Sequence, residues 1–424
     1  MTTCTLFIKN DGLHSKHTNK PDFYFFILRK HKAKTFNFPI RNKCNCMSYY
    51  RRPVYQKVLI FINICFIIAY LFVCLVPFVN TGENWYIAVP GIIFPTLFFI
   101  LLFFIILWLI LKSKFFWVSV ITILIGLQQI LAVFSFHLPQ KFVDQKPPNT
   151  LRVLQWNVMG WGQAKEKYNI EHGGHSLRPV MMDMVKNQNA DVLCFEEFYE
   201  SKDTGISRSN ITTITNMGFP FHYFVPVERE DTIQLSGVCI FSKYPIIDTA
   251  RFYLNRDKKG DHLIYADIKV ENKTFRVFTT HLIPINFDDW ESQRRENEDI
   301  YGDAGSNSFG RIFLKLIRRY SIRYHQSKFV GGQVAASPYP SVICGDFNDI
   351  PNSSTYFNVK GNLQDPFLKK GFWTGRTTRK SFGIISPTLR IDFILASKSF
   401  KVKQFQIIHV PYSDHYPVET DLQF

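Results

Sequence analysis

Three long runs without a single formal charge, Val58 to Val79, Tyr86 to Leu111 and Phe115 to Phe136, constrain this chain more than any other feature. Each reaches the roughly 20 residues that a helix needs to cross a bilayer core. Backbone groups in hydrocarbon must be satisfied within the segment, so these runs predict three transmembrane helices. Pro90 and Pro95 fall near the start of the second run, where a helix tolerates proline best. Asn63, Gln128 and Gln129 are the polar exceptions. Hydrogen bonding between helices, rather than a polar conduit, is the expectation for them.

Basic residues set an expected orientation. Twelve Lys/Arg precede Val58, none lies between Asn80 and Trp85, and Lys112 and Lys114 occupy the next loop. The positive-inside rule then places the N-terminus and the 112–114 loop in the cytoplasm. Three crossings leave the C-terminal domain on the extracytoplasmic side. Residues 1–57 read as a basic tail, with 1–46 either part of it or upstream of a start at Met47. Arg51, Arg52 and Lys57 alone give the same orientation. A linker over 137–150, ending in "QKPPNT", separates the runs from the C-terminal two-thirds of the chain.

The formal net charge of +16 is unevenly placed. Residues 1–150 hold 16 Lys/Arg against 4 Asp/Glu, a net +12; residues 151–424 hold 34 against 30, a net +4. A net +4 is modest for a domain that tracks long duplex nucleic acid by charge. Cys44 and Cys46 form only a CxC and no CxxC occurs, so neither a zinc nor a disulfide framework is implied. Cys194, Cys239 and Cys344 lie in apolar runs and read as buried free thiols.

From Leu151 the texture changes to short apolar runs. "LRVLQWNV", "ADVLCFEEF", "SGVCIFSKYPI", "HLIYADIKV", "TFRVFTTHL", "SVICGDFND", "LRIDFILAS" and "FKVKQFQIIHV" read as strands, several buried on both faces. "RPVMMDMVKNQN" and the segment from Phe309 to Val334 have helical periodicity. In the latter Ile312, Leu316 and Tyr320 share a face flanked by Arg311, Lys315, Arg318 and Arg319, a solvated charge run. This alternation predicts one large α/β domain over 151–424, a sandwich of sheets with covering helices.

Polar residues recur where the apolar runs stop: Asn157, Glu197, His281, Asp346 with Asn348, Asp392, and Asp414 with His415. Any one of these is weak evidence of a site, but together they fit one chemistry. Oxygen donors such as Glu197, Asp414 and the amide of Asn157 suit Mg²⁺ or Mn²⁺ rather than zinc. Asp392 and His415 offer an acid–imidazole pair that can stabilise charge on a phosphoryl oxygen. Asp346 and Asn348, two residues apart on one strand, point to the same side; one can take a proton from water and the other can hold that water or the phosphate. No GxSxG nucleophile, Gly-rich phosphate loop or catalytic Cys is present. The sum is metal-assisted hydrolysis of a phosphate ester. "HGGH", with His172 and His175, reads as a solvated turn, and Arg376 in "GFWTGRTT" as either a substrate contact or part of a plain turn.

The order "LQWNV", "FEE", "GVCIFSKYPI", "FTTHL", "CGDFND", "RIDFIL", "SDHYPV" resembles the motifs of the endonuclease/exonuclease/phosphatase superfamily, over essentially all of Leu151 to Phe424. The resemblance implies a deoxyribonuclease-I-like four-layer sandwich of two packed β-sheets flanked by helices. It also implies a hydrolase of the phosphodiesterase, nuclease or phosphatase class. It assigns Asn157, Glu197 and Asp414 to the metal, and His281, with Asn348, to the phosphate side. Asp346 and Asn348 are assigned to the attacking water, and Asp392 to the support of His415. One departure stands out: Glu196 occupies the position where the family usually carries Gln. The expected partners are a phosphate-ester substrate and the lipid bilayer, with no obligate protein partner. A membrane-tethered binding module that kept the fold and lost catalysis, or a phospholipid phosphodiesterase of sphingomyelinase type, are the alternatives.

Overall fold

The computed structural model describes residues 52–165, 175–201, 209–227, 234–255, 260, 262–284, 308–379 and 389–424. The tail to Arg51 with its Met47, and His172, lie outside the described residues, as do the side chains of residues 308–316. Arg318 and His175 are exposed.

Two of the apolar runs become helical segments long enough to cross a membrane, Val54–Phe78 and Trp85–Ile110. Pro90 and Pro95 sit in or just after a tight helical turn, Val89–Ile93, that opens the second. The third run departs from the expected straight helix over 115–136. It forms Phe116–Ile125 and Leu127–Val133, bent by 65° at Gly126. A Cβ on Gly126 would meet the Tyr70 hydroxyl at 2.1 Å, so the chain bends where only glycine allows the helices this close. Interhelical hydrogen bonds take up two of the three amides. Asn63 Nδ2 donates to Ser119 Oγ at 3.0 Å, and Gln129 Nε2 to the Cys74 carbonyl at 2.7 Å. Gln128 is exposed. The outer faces keep Phe61, Ile68, Phe103, Ile106, Ile121 and Leu124 exposed, the pattern of helices that face lipid. The run ends in β1 (Ser135–Phe136), which pairs with a strand of the following domain.

That domain holds β2 (Thr150–Asn157), β3 (Val192–Ser201), β4 (Phe221–Pro226), β5 (Gln234–Ser242), β6 (Ile246–Tyr253), β7 (His262–Val270) and β8 (Lys273–His281). It continues with β9 (Ser341–Asp346), β10 (Phe372–Trp373), β11 (Asp392–Ala396), β12 (Lys401–Ile407) and β13 (Val418–Gln423). One sheet runs β11-β9-β8-β7-β6 and the other β12-β13-β2-β3-β5-β4; β10 pairs with β1. β8 and β9 are parallel, as are β2 and β3.

Alternation along the strands builds four layers. Leu151 and Val153 point between the sheets, where they meet Ala266, Val277, Val342 and Ile394. Leu154 and Trp156 point the other way, under the helix Arg178–Asn187 with its Met181 and Val185. On the far side Phe278, Ile343 and Phe393 pack under the long helix Ser308–Ala335 through Val330 and Val334. Cys194, Cys239 and Cys344 are buried free thiols. The strand β13 was not apparent from its sequence, because "VETDLQ" is polar, yet Glu419, Thr420 and Asp421 are fully buried. Arg152 of β2 compensates Asp421 through a buried fork, Nε to Oδ1 at 2.8 Å and Nη2 to Oδ2 at 3.0 Å.

Candidate active site

Two-residue periodicity explains how the site is assembled. Val192 and Cys194, Phe275 and Val277, Val342 and Cys344, and Ile394 and Ala396 all face the core between the sheets. Counting in twos along the same strands gives Glu196, Thr279 and His281, Asp346 and Asp392; on β2 it gives Gln155 and Asn157. The site is thus the polar end of the inter-sheet core, and the structure brings the expected acids, amides and imidazoles together there.

Asp346 is the hub, 1% exposed. Its Oδ1 accepts the Asn348 backbone N–H at 2.8 Å. Its Oδ2 accepts Asn157 Nδ2 at 3.2 Å and lies 3.7 Å from His281 Nε2 and 3.6 Å from His415 Nε2. Burial raises the Asp346 carboxyl above its ordinary range, against the pull of His415 and His281. Asn348 does not continue β9 as expected. The strand ends at Asp346, and Asn348 takes a left-handed conformation (φ +51°) that lets its N–H turn back to Asp346. Asparagine tolerates that conformation better than most residues. Its amide donates to the Leu282 carbonyl at 2.9 Å, which fixes it beside His281.

His415 Nδ1 lies 3.0 and 3.1 Å from the two oxygens of Asp392, both residues buried. Burial alone would lower the imidazole pKa; Asp392 and Asp346 outweigh it and raise His415 to about 10. Asp392 is held in turn by Gln155 Nε2 at 3.2 Å, and its backbone N–H donates to Thr377 Oγ1 at 3.1 Å.

Glu197 is not at a strand end. β3 runs on to Ser201, and its register against β5 slips between Phe195 and Phe198. At this bulge Glu197 takes φ +48°. The extra residue lets Phe195 and Phe198 share one apolar layer although they are three apart. Glu196 then points inward and Glu197 out, its side chain 42% exposed. Glu197 Oε1 accepts Asn157 Nδ2 at 3.1 Å and lies 3.9 Å from His281 Nε2. Asn157 Oδ1 accepts the Met159 N–H at 3.1 Å, so its NH₂ is the group turned to the acids. Asp414, 27% exposed, puts Oδ1 4.0 Å from His415 Nε2. Each half-open acid therefore stands against one imidazole, with Asp346 between them.

Glu196, in the place of the usual Gln, is fully buried. It accepts Gln155 Nε2 at 2.8 Å and Thr279 Oγ1 at 2.7 Å. Burial pushes its pKa up to about 8, with Asp392 and Asp346 adding to the rise. Gln155 and Thr279 escaped the sequence reading as members of the site; the two-residue step back from Asn157 and His281 is the signal that finds them. Ser413 was missed too: its hydroxyl donates to the Asn157 carbonyl at 2.8 Å and accepts the His415 N–H at 3.1 Å. Arg376 donates to the carbonyls of Thr378 and Arg379 in its own loop.

Asp346, Asp392 and His415 offer ligand atoms within 4.8 Å of one another. Glu197 and Asp414 are the part-exposed acids on the two sides of this cluster. Carboxylate oxygens gathered beside two imidazoles are a donor set that fits a divalent ion of the Mg²⁺ kind.

Such a sandwich and site define a hydrolase of phosphate esters. The sequence model described as Endonuclease/Exonuclease/phosphatase family matches residues 168–415, more than half of the chain, and the chain belongs to that family. A second model, described as Domain of unknown function (DUF8431), matches residues 56–133. No curated protein matches the sequence significantly. Similar solved structures include an endonuclease/exonuclease/phosphatase from Beutenbergia cavernae, 18% identical over 65% of this chain and 72% of that one, with a TM-score of 0.47. The human Nocturnin catalytic domain with bound sulfate is 18% identical over 67% and 96%, with a TM-score of 0.45. A mannosyl-6-phosphatase from Bacteroides thetaiotaomicron is 18% identical over 65% and 100%, with a TM-score of 0.44.

Proposed function

We propose that this protein is a membrane-anchored, divalent-metal-dependent phosphoester hydrolase whose catalytic domain faces away from the cytoplasm. The observation that carries the reading is the Asp346 hub, flanked by both imidazoles and the Asn157 amide. Asp346 takes a proton from the attacking water while Asn348 locks its second oxygen. The water oxygen forms the new P–O bond and the ester P–O bond breaks. The leaving oxygen keeps the bond electrons, and the proton released from water ends on the alcohol. His281 and the Asp392-supported His415 donate to the phosphoryl oxygens. Glu197 and Asp414 would hold Mg²⁺ or Mn²⁺, which supplies Lewis-acid stabilisation of the phosphoryl charge when bound. Asn157 positions Glu197.

The full-length chain in detergent should hydrolyse bis-p-nitrophenyl phosphate with Mg²⁺ or Mn²⁺ and stop with chelator. A metal-dependent rate no greater than background on a panel of phosphate esters would refute the reading. The intact set of Asp346, Asp392 and His415 argues against an inactive binding module.

The sidedness rests on charge and on chain direction. Lys57 precedes the first span's apolar run while Lys112 and Lys114 join the second span to the third run, and the domain packs at the other end. A reporter active only outside the cytoplasm, fused after Phe424, should be active. Silence there, with a cytoplasm-only reporter active at the same position, reverses the orientation.

A further inference from the structure

Three short stretches of chain tie the catalytic residues to the domain end of the apolar helices. Arg390 Nη2 donates to the Ala132 carbonyl at 3.1 Å, near the end of the third run. Arg390 is fully buried against Asp365, at 2.7 Å, and stands two residues before Asp392, at most about 7 Å along the chain. Four residues beyond Asn348, at most about 14 Å, the Asn352 carbonyl lies 3.9 Å from where a Cβ on Gly91 of the second span would stand. Ser354 shares a hydrogen bond with Thr81 in the loop between the first two spans. Thr378 bridges to His415, and Trp373, five residues earlier and at most about 18 Å away, packs on Phe99 and Phe134 at 5.8 and 5.4 Å.

The path of the linker fits the same orientation. The chain leaves the helices at Phe136 but enters β2 at Thr150, the strand end remote from Asn157 and about 23 Å from it. Residues 137–149 therefore run down the sandwich, past Gln404, which bonds Val143, so that the functional end of β2 points back to the helices. The same level carries exposed aromatics: Phe136 at 63%, Phe372 at 52% and Trp373 at 44%, with Tyr86 at the start of the second span also exposed. Aromatic residues in that position seat in the headgroup layer of a bilayer.

We infer that the catalytic mouth is held against the bilayer surface and that its substrate is a phosphodiester lipid of that leaflet. This rests on the hydrolase reading above and deepens it by naming the substrate class. A lipid phosphate reaches such a mouth within the headgroup layer, whereas a long soluble polyanion must pass between domain and membrane. Confinement to the same surface acts as a raised effective concentration.

The full-length chain should be reconstituted with Mg²⁺ into vesicles of phosphatidylethanolamine, phosphatidylglycerol and sphingomyelin. The soluble arm uses glycerophosphoethanolamine, glycerophosphoglycerol and bis-p-nitrophenyl phosphate at the same bulk concentrations. At least one vesicle lipid should be cleaved about tenfold faster than the soluble natural esters. Phe136→Ser with Phe372→Ser, both exposed, should lower lipid cleavage severalfold and leave bis-p-nitrophenyl phosphate cleavage unchanged, with melting curves to confirm the fold. Soluble esters cut as fast as lipid, or inert lipid beside active cleavage of bis-p-nitrophenyl phosphate, would overturn the inference and leave the hydrolase reading standing. Lack of metal-dependent turnover in both arms would remove the hydrolase reading and this inference with it.

Discussion

Replacing His415 by Gln is expected to lower kcat/KM by about 10²–10⁴, the range for losing a positioned acid–base group. The imidazole is held by both oxygens of Asp392 and faces Asp346, so it cannot be replaced by water in the same geometry. Asp392→Asn should cost nearly as much, and the double variant little more than either, because the two act as a unit. The pH profile separates this role from a structural one. Asp392 and Asp346 raise His415 to about 10 against the effect of burial, so the charged form persists through neutral pH. Activity that depends on that charge should fall as pH rises through about 10. Asp392→Asn removes the leading source of the rise, so the alkaline limb should move to lower pH. A limb that stays in place in an active Asp392→Asn protein would exclude His415 as its source. Circular dichroism and melting curves of each variant control for loss of fold.

Glu197→Gln is expected to lower the rate at saturating Mg²⁺ by at least about a hundredfold, and to raise the Mg²⁺ concentration giving half-maximal rate. Glu197 is part-exposed and belongs to none of the apolar layers, so its loss should leave stability almost unchanged. Glutamine keeps an oxygen for Asn157 Nδ2 but removes the charge that attracts the ion. Glu197→Asp keeps the charge and shortens the reach, and should retain more activity than Glu197→Gln. Direct Mn²⁺ titration by calorimetry provides a readout that does not depend on turnover. Equal activation curves for Glu197→Gln and the unsubstituted protein would remove Glu197 from the metal's surroundings.

Several features of this fold are visible in short segments of sequence. "HLIYADIKV" is β7 residue for residue, and the strand expected from "SVICGDFND" covers β9. Both carry the apolar continuity of strands buried on two faces. Other elements could not be seen because their burial is not local. β13 is polar by composition and is accepted between two strands of a sheet, where Arg152 on the neighbouring strand neutralises Asp421. The bend at Gly126 depends on Tyr70, far back in the first helix, and a window over the third run alone reads as an unbroken span. β1 exists only because Phe372 and Trp373 lie beside it.

The three uncharged runs, the α/β character of 151–424 and the identity of the acids, amides and imidazoles can be read from short stretches of chain, since hydrophobic period and residue chemistry are local properties. Tertiary structure decided what those residues do to one another. Gln155 reaches Asp392 across 237 residues and Asn157 reaches Asp346 across 189, contacts set by which strands pair and which sheets stack. A bulge in β3 chose which of two adjacent glutamates is buried, turning Glu196 into the core and Glu197 toward solvent. That choice follows from packing Phe195 and Phe198 in one apolar layer, a demand that arises only when the sheet meets its helices. The contacts of Arg390, Asn352 and Trp373 with helices encoded roughly 240–275 residues earlier in the chain arise in the same way, from tertiary packing alone.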